Sequence, residues 1–292
     1  MSQLTSLKVI RDILQRHNFR LSKSLGQNFL ADRNIVEKII DGAEVTEKDM
    51  ILEIGPGIGT LTKDLMARAG KVVAVEIDRD LFPVLEETLG APPNLTLIHG
   101  DILKTDIKRL VDKEFGGNEF KVVANLPYYI TTPIIMRFLE EELPVTSLTV
   151  MIQREVARRI TAGPGEKEYG SLSVAVQYYT NPRVLCNVPA TVFMPRPKVD
   201  SMVVILERRN RPAIEVRDRQ LFFRIVRGAF AKRRKILLNN LTTGEFGEWD
   251  RERMLEILHM SGIDPKRRGE TLTLEEFAGI SNVMATISVD KQ

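Results

Sequence analysis

The stretch from Met50 to Gly59 limits the possible folds of this chain more than any other. Met50-Ile51-Leu52-Glu53-Ile54 reads as a short strand that runs into Gly55-Pro56-Gly57-Ile58-Gly59, and an amphipathic helical pattern follows from about Thr60 to Ala69. Strand, glycine-rich turn and helix make the first unit of a nucleotide-binding α/β fold. A dinucleotide fingerprint needs small residues at G-x-G-x-x-G, and here the last of them would fall on Thr60. The observed Gly-x-Gly-x-Gly lets the backbone approach a ligand closely without a pyrophosphate at the helix N-terminus. A nucleoside without phosphates therefore ranks above NAD.

The next strands extend this reading. Lys71 to Ile77 is a second strand, with Glu76 near its end and 21 residues beyond Gly55, where a carboxylate can accept from both ribose hydroxyls. Leu95 to His99 is a third, followed by Gly100-Asp101-Ile102, and Asp101 can accept from an adenine amino group. Each acid alone could be a turn residue; Gly, Glu and Asp at three successive strand ends together point to a nucleoside site.

Phe120 to Ala124 is an apolar, β-branched fourth strand that delivers Asn125-Leu126-Pro127-Tyr128. In the doubly wound order the first and fourth strands are neighbours at the topological switch point, so this turn and the glycine turn share a crevice. Pro127 fixes its own φ and biases Leu126 towards an extended conformation, leaving the Leu126 carbonyl free to accept. One amide oxygen, one carbonyl and one aromatic face suit an exocyclic amino group on a flat ring. A plain strand-end turn capped by Asn is the competing reading.

Upstream, helical spacing over residues 5–17 is followed by the basic, flexible stretch Arg20 to Ser24, and Leu25-Gly26-Gln27-Asn28-Phe29-Leu30 then places two adjacent amides before a helix near Asn34 to Ile40. Those amides could bind a ligand or cap the helix. Downstream, Leu148 to Gln153 is a fifth strand, and helical runs at Glu155 to Ile160 and Leu172 to Tyr179 flank a polar loop from Ala162 to Gly170. Val184 to Val188 and Ser201 to Leu206 form a hairpin-like sheet edge. Between them Phe193-Met194-Pro195-Arg196-Pro197-Lys198-Val199 is a rigid extended loop, in which Phe193 from composition alone is core filler. Beyond Arg208 the pattern is helical throughout: Gln220 to Phe230, Ile236 to Leu241, Arg251 to Met260 and Leu274 to Ile280. Two domains follow: residues 1–207, α/β and Rossmann-like with an N-terminal extension, and residues 208–292, small, basic and all-helical.

Charge separates along the same line. The net charge is +3, yet Arg208 to Leu241 holds eleven Lys or Arg against Glu215 and Asp218, which suggests one face meant for a polyanion rather than a merely solvated one. Cys186 is the single cysteine and His17, His99 and His259 lack ligand spacing, so neither an internal disulfide nor a metal site is expected. No apolar run approaches the roughly 18 residues that span a bilayer, and no signal sequence is apparent, so a cytoplasmic protein is expected.

From about residue 20 to the end, the chain resembles the small-subunit ribosomal RNA adenine N6,N6-dimethyltransferases, the bacterial kasugamycin-sensitivity family. Gln-Asn-Phe-Leu at 27–30, Glu-Ile-Gly-Pro-Gly-Ile-Gly at 53–59, Asn-Leu-Pro-Tyr at 125–128, Phe-x-Pro-x-Pro-x-Val at 193–199 and Phe-Ala-Lys-Arg-Arg-Lys at 230–235 occur in that order. The resemblance implies a class I S-adenosylmethionine-dependent methyltransferase that dimethylates N6 of two adjacent adenines. Its implied substrate is the hairpin loop near the 3′ end of 16S rRNA, in the 30S particle, late in assembly; a monomer is expected. It implies cofactor contacts at Gln27, Asn28, Leu30, Gly55, Gly57, Glu76, Ile77, Asp101, Ile102 and Asn125. The implied catalytic turn is Asn125, Leu126, Pro127 and Tyr128, with Phe193 as a second stacking aromatic, and RNA contacts fall on Lys232, Arg233, Arg234 and Lys235. The alternatives are a large-subunit adenine N6-methyltransferase of the macrolide-resistance type, a non-catalytic assembly or transcription factor on a methyltransferase fold, and a dehydrogenase.

Overall fold

Apolar runs of five or six residues, buried on both faces, need helices above and below them, and parallel pairing supplies those helices as crossovers. The computed structural model describes residues 4–22, 25–243, 246 and 249–289. Lys23 and Ser24, in the basic stretch expected to be flexible, lie outside the described residues.

Helix α1 (Leu7–Arg16) leads to the two-residue strand β1 (Phe29–Leu30) and then to α2 (Arg33–Gly42), whose N-cap Asp32 accepts from Ile35 N at 3.0 Å. Strand β2 (Met50–Ile54), helix α3 (Thr60–Arg68), strand β3 (Lys71–Glu76), helix α4 (Phe82–Leu89), strand β4 (Leu95–His99), helix α5 (Ile107–Phe115), strand β5 (Phe120–Asn125), helix α6 (Thr131–Glu140) and strand β6 (Val145–Gln153) follow. Helices α7 (Arg154–Thr161) and α8 (Ser171–Tyr179) precede β7 (Thr180–Val188), β8 (Phe193–Met194) and β9 (Ser201–Arg208).

The sheet order is β4-β3-β2-β5-β6-β9-β7. The first five strands are parallel and β9 runs antiparallel to β6. The pairing of β2 with β5 sets the Gly55 and Asn125 turns side by side at the carboxyl ends, as the doubly wound expectation requires.

Strands β1 and β8 form a separate antiparallel pair, Phe29 opposite Met194 and Leu30 opposite Phe193. Leu30 and Phe193 enter one apolar cluster, with Val36, Leu61 and Val123, while Phe29 and Met194 pack with Ile10, Ile58 and Leu85. The loop at 193–199 thus begins with a ladder that pins the amide loop, a pairing too short to leave a period in the sequence.

By internal contact the chain divides into two units: residues 1–157 with 182–208, and residues 158–181 with 209–292. The second holds α8, α9 (Arg219–Ala229), α10 (Leu237–Leu241), α11 (Arg251–Met260) and α12 (Leu274–Val289). The segment 158–181, assigned from sequence to the first domain, groups here with the C-terminal helices. Tyr178 and Tyr179 pack on Phe222 and Phe223 with ring centroids 5.2 to 5.8 Å apart, and the Tyr169 hydroxyl donates to the Leu272 carbonyl at 3.0 Å. Backbone bonds from Arg209 N to Tyr179 O and from Ala213 N to Tyr178 O complete the join. Helix α12 runs past the expected end at Ile280 because Met284 and Ile287 continue its buried face. Among the described residues no helix is long and apolar enough to cross a membrane.

Candidate active site

The carboxyl ends of β2, β3, β4 and β5, together with the 25–30 loop, enclose a cleft. Gln27, Asn28, Leu30, Gly55, Gly57, Glu76, Ile77, Asp101, Ile102, Asn125, Leu126, Pro127 and Tyr128 all line it. The structure therefore brings together every residue expected from sequence at the cofactor and the catalytic turn, with one exception.

The exception is Phe193. It is 3% exposed, sits opposite Leu30 in the β1–β8 ladder and lies inside the apolar cluster beneath the cleft, not on its wall. Its place there is the packing role that composition favours: an aromatic ring among apolar neighbours gains from burial.

The glycine turn is built for close approach. Gly55 and Gly57 have φ of +65° and +60°, and a Cβ on Gly57 would stand 3.1 Å from the Phe29 ring. Glu76 binds this turn from β3: its Oε2 accepts from Gly57 N at 3.3 Å and its Oε1 from Asp78 N at 2.9 Å. Only 5% exposed, Glu76 has its carboxyl pushed up to about 7, chiefly by burial, while those backbone donors pull the other way. At the end of β4, Asp101 Oδ1 accepts from Leu103 N at 2.9 Å, so its carboxylate both caps its own turn and lines the cleft.

Both amides of the 27–28 pair serve the loop. Gln27 Nε2 donates to Asp78 Oδ2 at 2.6 Å and its Oε1 accepts from Ser22 N at 2.9 Å, tying the N-terminal segment to the end of β3. Asn28 Nδ2 donates to the Gly26 carbonyl at 2.8 Å.

Asn125 is held from the same side. Its Nδ2 donates to the Asn28 carbonyl at 3.0 Å, which turns Oδ1 into the free end of the amide. Leu126 N donates to Met151 O at 3.1 Å, whereas the Pro127 carbonyl accepts from Ile130 N and Thr131 Oγ1. No described hydrogen bond takes the Leu126 carbonyl. Tyr128 is fixed through its hydroxyl, 2.7 Å from Ser201 Oγ on β9. Helix α6, launched by this turn, returns Arg137 to the Asp101 loop, where its guanidinium donates to the carbonyls of Ile102 and Thr105, the latter at 2.8 Å.

Of the lining residues not singled out from the sequence, two carry chemistry. Glu53, 1% exposed on β2, has its carboxyl pushed up to about 8 by burial, with Glu76 adding to it, and its Oε2 has no hydrogen-bond partner among the described residues. A carboxylate inside the apolar run Ile51-Leu52-Glu53-Ile54 was the available signal. Tyr129, next to the catalytic turn, was the other.

Among the described residues no lysine or arginine lines the cleft, while Glu53, Glu76 and Asp101 do. That donor set fits a cationic nucleoside such as S-adenosylmethionine and is ill suited to a pyrophosphate. Among the described residues no group of His, Cys, Asp and Glu could hold a metal ion.

In the second unit, Lys232, Arg234 and Lys235 are exposed. Arg233 is exposed too, but it also donates to the Lys167 carbonyl and lies 3.8 Å from Glu270, so part of its charge is spent inside its own unit.

The family model for ribosomal RNA adenine dimethylase matches residues 18–284. The chain is 53% identical over 285 residues to ribosomal RNA small subunit methyltransferase A of Alkaliphilus oremlandii (strain OhILAs), covering 98% of this chain and 99% of that one. It is 49% identical over 286 residues to the protein of the same name from Clostridioides difficile (strain 630), with 98% of each chain covered. Among solved structures it is similar in fold to a dimethyladenosine transferase from Plasmodium falciparum, at a TM-score of 0.73 and 24% identity over 90% of this chain and 97% of that one. It is also similar to the 23S rRNA methyltransferase ErmE, at a TM-score of 0.67 and 26% identity over 88% and 99%.

Proposed function

The chain belongs to the ribosomal RNA adenine dimethylase family, and from that premise we propose that it dimethylates N6 of two adjacent adenosines in the 3′-terminal hairpin loop of 16S rRNA. The substrate is the 30S particle in the cytoplasm, late in assembly, and the methyl donor is S-adenosylmethionine. The observation that carries this reading is the state of Asn125: its nitrogen is committed to Asn28, and no described hydrogen bond takes its oxygen or the Leu126 carbonyl in the cleft that both residues line.

In this reading Glu76 holds the ribose hydroxyls, Asp101 and the backbone near Ile102 receive the adenine, and Gly55 and Gly57 admit the ligand close to the turn. Leu30, Gln27 and Asn28 close the opposite wall. Bound there, S-adenosylmethionine supplies a methyl group already activated on a sulfonium, so the protein's work is positioning and charge stabilisation.

The adenine N6 lone pair is delocalised into the ring and is a poor nucleophile. In the first transfer Asn125 Oδ1 and the Leu126 carbonyl accept hydrogen bonds from the two N6–H groups, and in the second from the one that remains; they draw the nitrogen out of the ring plane and stabilise the positive charge that develops on it. Each transfer forms an N–C bond as the methyl's C–S bond breaks, and N6 then gives up one proton to solvent. Pro127 keeps the second carbonyl clear of a helix. Tyr128 carries the base on its ring, a contact of about 1–3 kcal/mol by analogy with other base–aromatic stacks. A target in a hairpin loop is already partly unstacked, which lowers the cost of extruding it.

Relatives near 50% identity over almost their full length carry the small-subunit name, which favours this substrate over a large-subunit adenine. The test is transfer of labelled methyl from S-adenosylmethionine to undermethylated 30S particles, with the modified nucleotides mapped. Two dimethylated adenosines near the 3′ end are expected. Transfer to 23S rRNA alone, or none, overturns the reading.

A further inference from the structure

Resting on the reading above, we propose that Tyr129 is the residue that closes the nucleoside end of the cleft over the bound cofactor. Its neighbour Tyr128 is anchored through its hydroxyl to Ser201. Tyr129, in the same 3₁₀ turn (Tyr128–Ile130), is 54% exposed although it lines the cleft, and no described hydrogen bond takes its hydroxyl.

Two sets of contacts locate it. Its ring lies against the backbone of Gly26, where a Cβ would stand 3.4 and 3.6 Å from ring carbons Cδ1 and Cε1. Gly26 itself sits at φ +60°, a conformation that leaves a flat patch of main chain for the ring. The cleft it lines is shared with Glu76 and Asp101, at the ends of β3 and β4. The phenol is held above its ordinary ionisation range first by burial, then by Asp101 and Glu76. The ring therefore stands on the 25–28 loop, in the same cleft as the two acids assigned to the ribose and the adenine.

Both of its supports are rigid. Gln27 ties the loop to Asp78 and Ser22, and Arg137 ties the Asp101 turn to α6. With Phe193 buried, Tyr129 is the exposed aromatic among the described residues of the cleft. An exposed aromatic face in a cleft that also holds two carboxylates suits a purine nucleoside: the ring covers the flat base and screens it from water.

The experiment measures S-adenosylmethionine and S-adenosylhomocysteine binding by calorimetry and stopped-flow dissociation, on wild type, Tyr129→Ala and Tyr129→Phe. Tyr129→Ala is expected to raise both dissociation constants about tenfold, through a faster off-rate, as loss of a base–aromatic stack does. Tyr129→Phe keeps the ring and stays within about threefold. In steady state, Tyr129→Ala raises KM for the cofactor far more than it lowers kcat. An Ala variant with unchanged cofactor affinity and off-rate overturns the proposal, as does weakening confined to particle binding, which would make the ring a platform for RNA. A Phe variant as weak as Ala also overturns it. Failure of the wild type to bind S-adenosylmethionine would sink the proposed function itself, so the two failures are distinguishable.

Discussion

The two amide ends of Asn125 are unequal: the nitrogen donates to the Asn28 carbonyl, and no described hydrogen bond takes the oxygen. In the proposed reaction an acceptor preorganised in this way would act on the charge that appears at N6 in the transition state rather than on substrate affinity. Asn125→Ala should therefore lower single-turnover methyl transfer at saturating cofactor by roughly 100- to 1,000-fold, with particle binding retained; a rate within about threefold of wild type would reduce Asn125 to a turn cap. A second prediction concerns charge. Glu53 and Glu76 are held at about 8 and about 7 against an ordinary 4.5, so above that value the folded chain keeps protons that the unfolded chain has released. Stability without ligand must then fall as pH rises from about 4.5 through 7 and 8. Glu53→Gln removes the larger share of this slope. Thermal unfolding between pH 5 and 9 should show the variant gaining on wild type as pH rises; parallel curves would mean that Glu53 does not titrate in the folded chain.

At the level of elements, the site is made by a few connections between strand ends. Asp101 and Asn125 lie at the ends of β4 and β5, which are not neighbours in the sheet, and Arg137 joins the loop of one to the helix that follows the other. Arg137→Ala leaves two loop carbonyls without a cationic donor. Bonds to charged groups are worth about 1.5–3 kcal/mol each, so a Tm lower by several degrees and a threefold to tenfold weaker cofactor complex are expected. Arg137→Lys, with one ammonium in place of a fork, should fall between the two. Calorimetry beside thermal unfolding checks both. Unchanged cofactor affinity in Arg137→Ala would show that the Asp101 turn holds its shape unaided. The β1–β8 ladder works in the same way for the 27–30 loop, and it explains why Phe193 is more valuable buried than exposed.

Across the whole molecule, exposed positive charge and the cleft lie in different units. Lys232, Arg234 and Lys235 are exposed in the helical unit, while among the described residues the cleft in the α/β unit has no cationic lining. Reversing those three charges should weaken binding to 30S particles and flatten its dependence on salt, by about 0.7–0.9 in slope for each phosphate no longer neutralised. Cofactor affinity, measured on the same variant, should hold. A retained salt slope would make the cluster a solvated face. Arg233→Glu is a poorer probe, because it also breaks the contacts to Lys167 and Glu270 within its own unit.

What the sequence determined by itself was local. Glycines at positive φ, a proline after Leu126, apolar runs of strand length and acids at their ends are set by residues within a few positions of one another. Residue type and spacing alone therefore assign Gly55, Glu76, Asp101 and Asn125 to strand ends. Doubly wound topology then carries those ends to one cleft. What only the tertiary structure decided depends on which surfaces meet across long separations. Leu30 finds Phe193 and buries it; Gly26 finds Tyr129 and leaves it half exposed; Tyr178 and Tyr179 find Phe222 and Phe223 and carry residues 158–181 into the second unit. Aromatic and apolar side chains serve equally well as core, rim or platform, because burial energy is non-directional and names no partner. Only the packed chain assigns them.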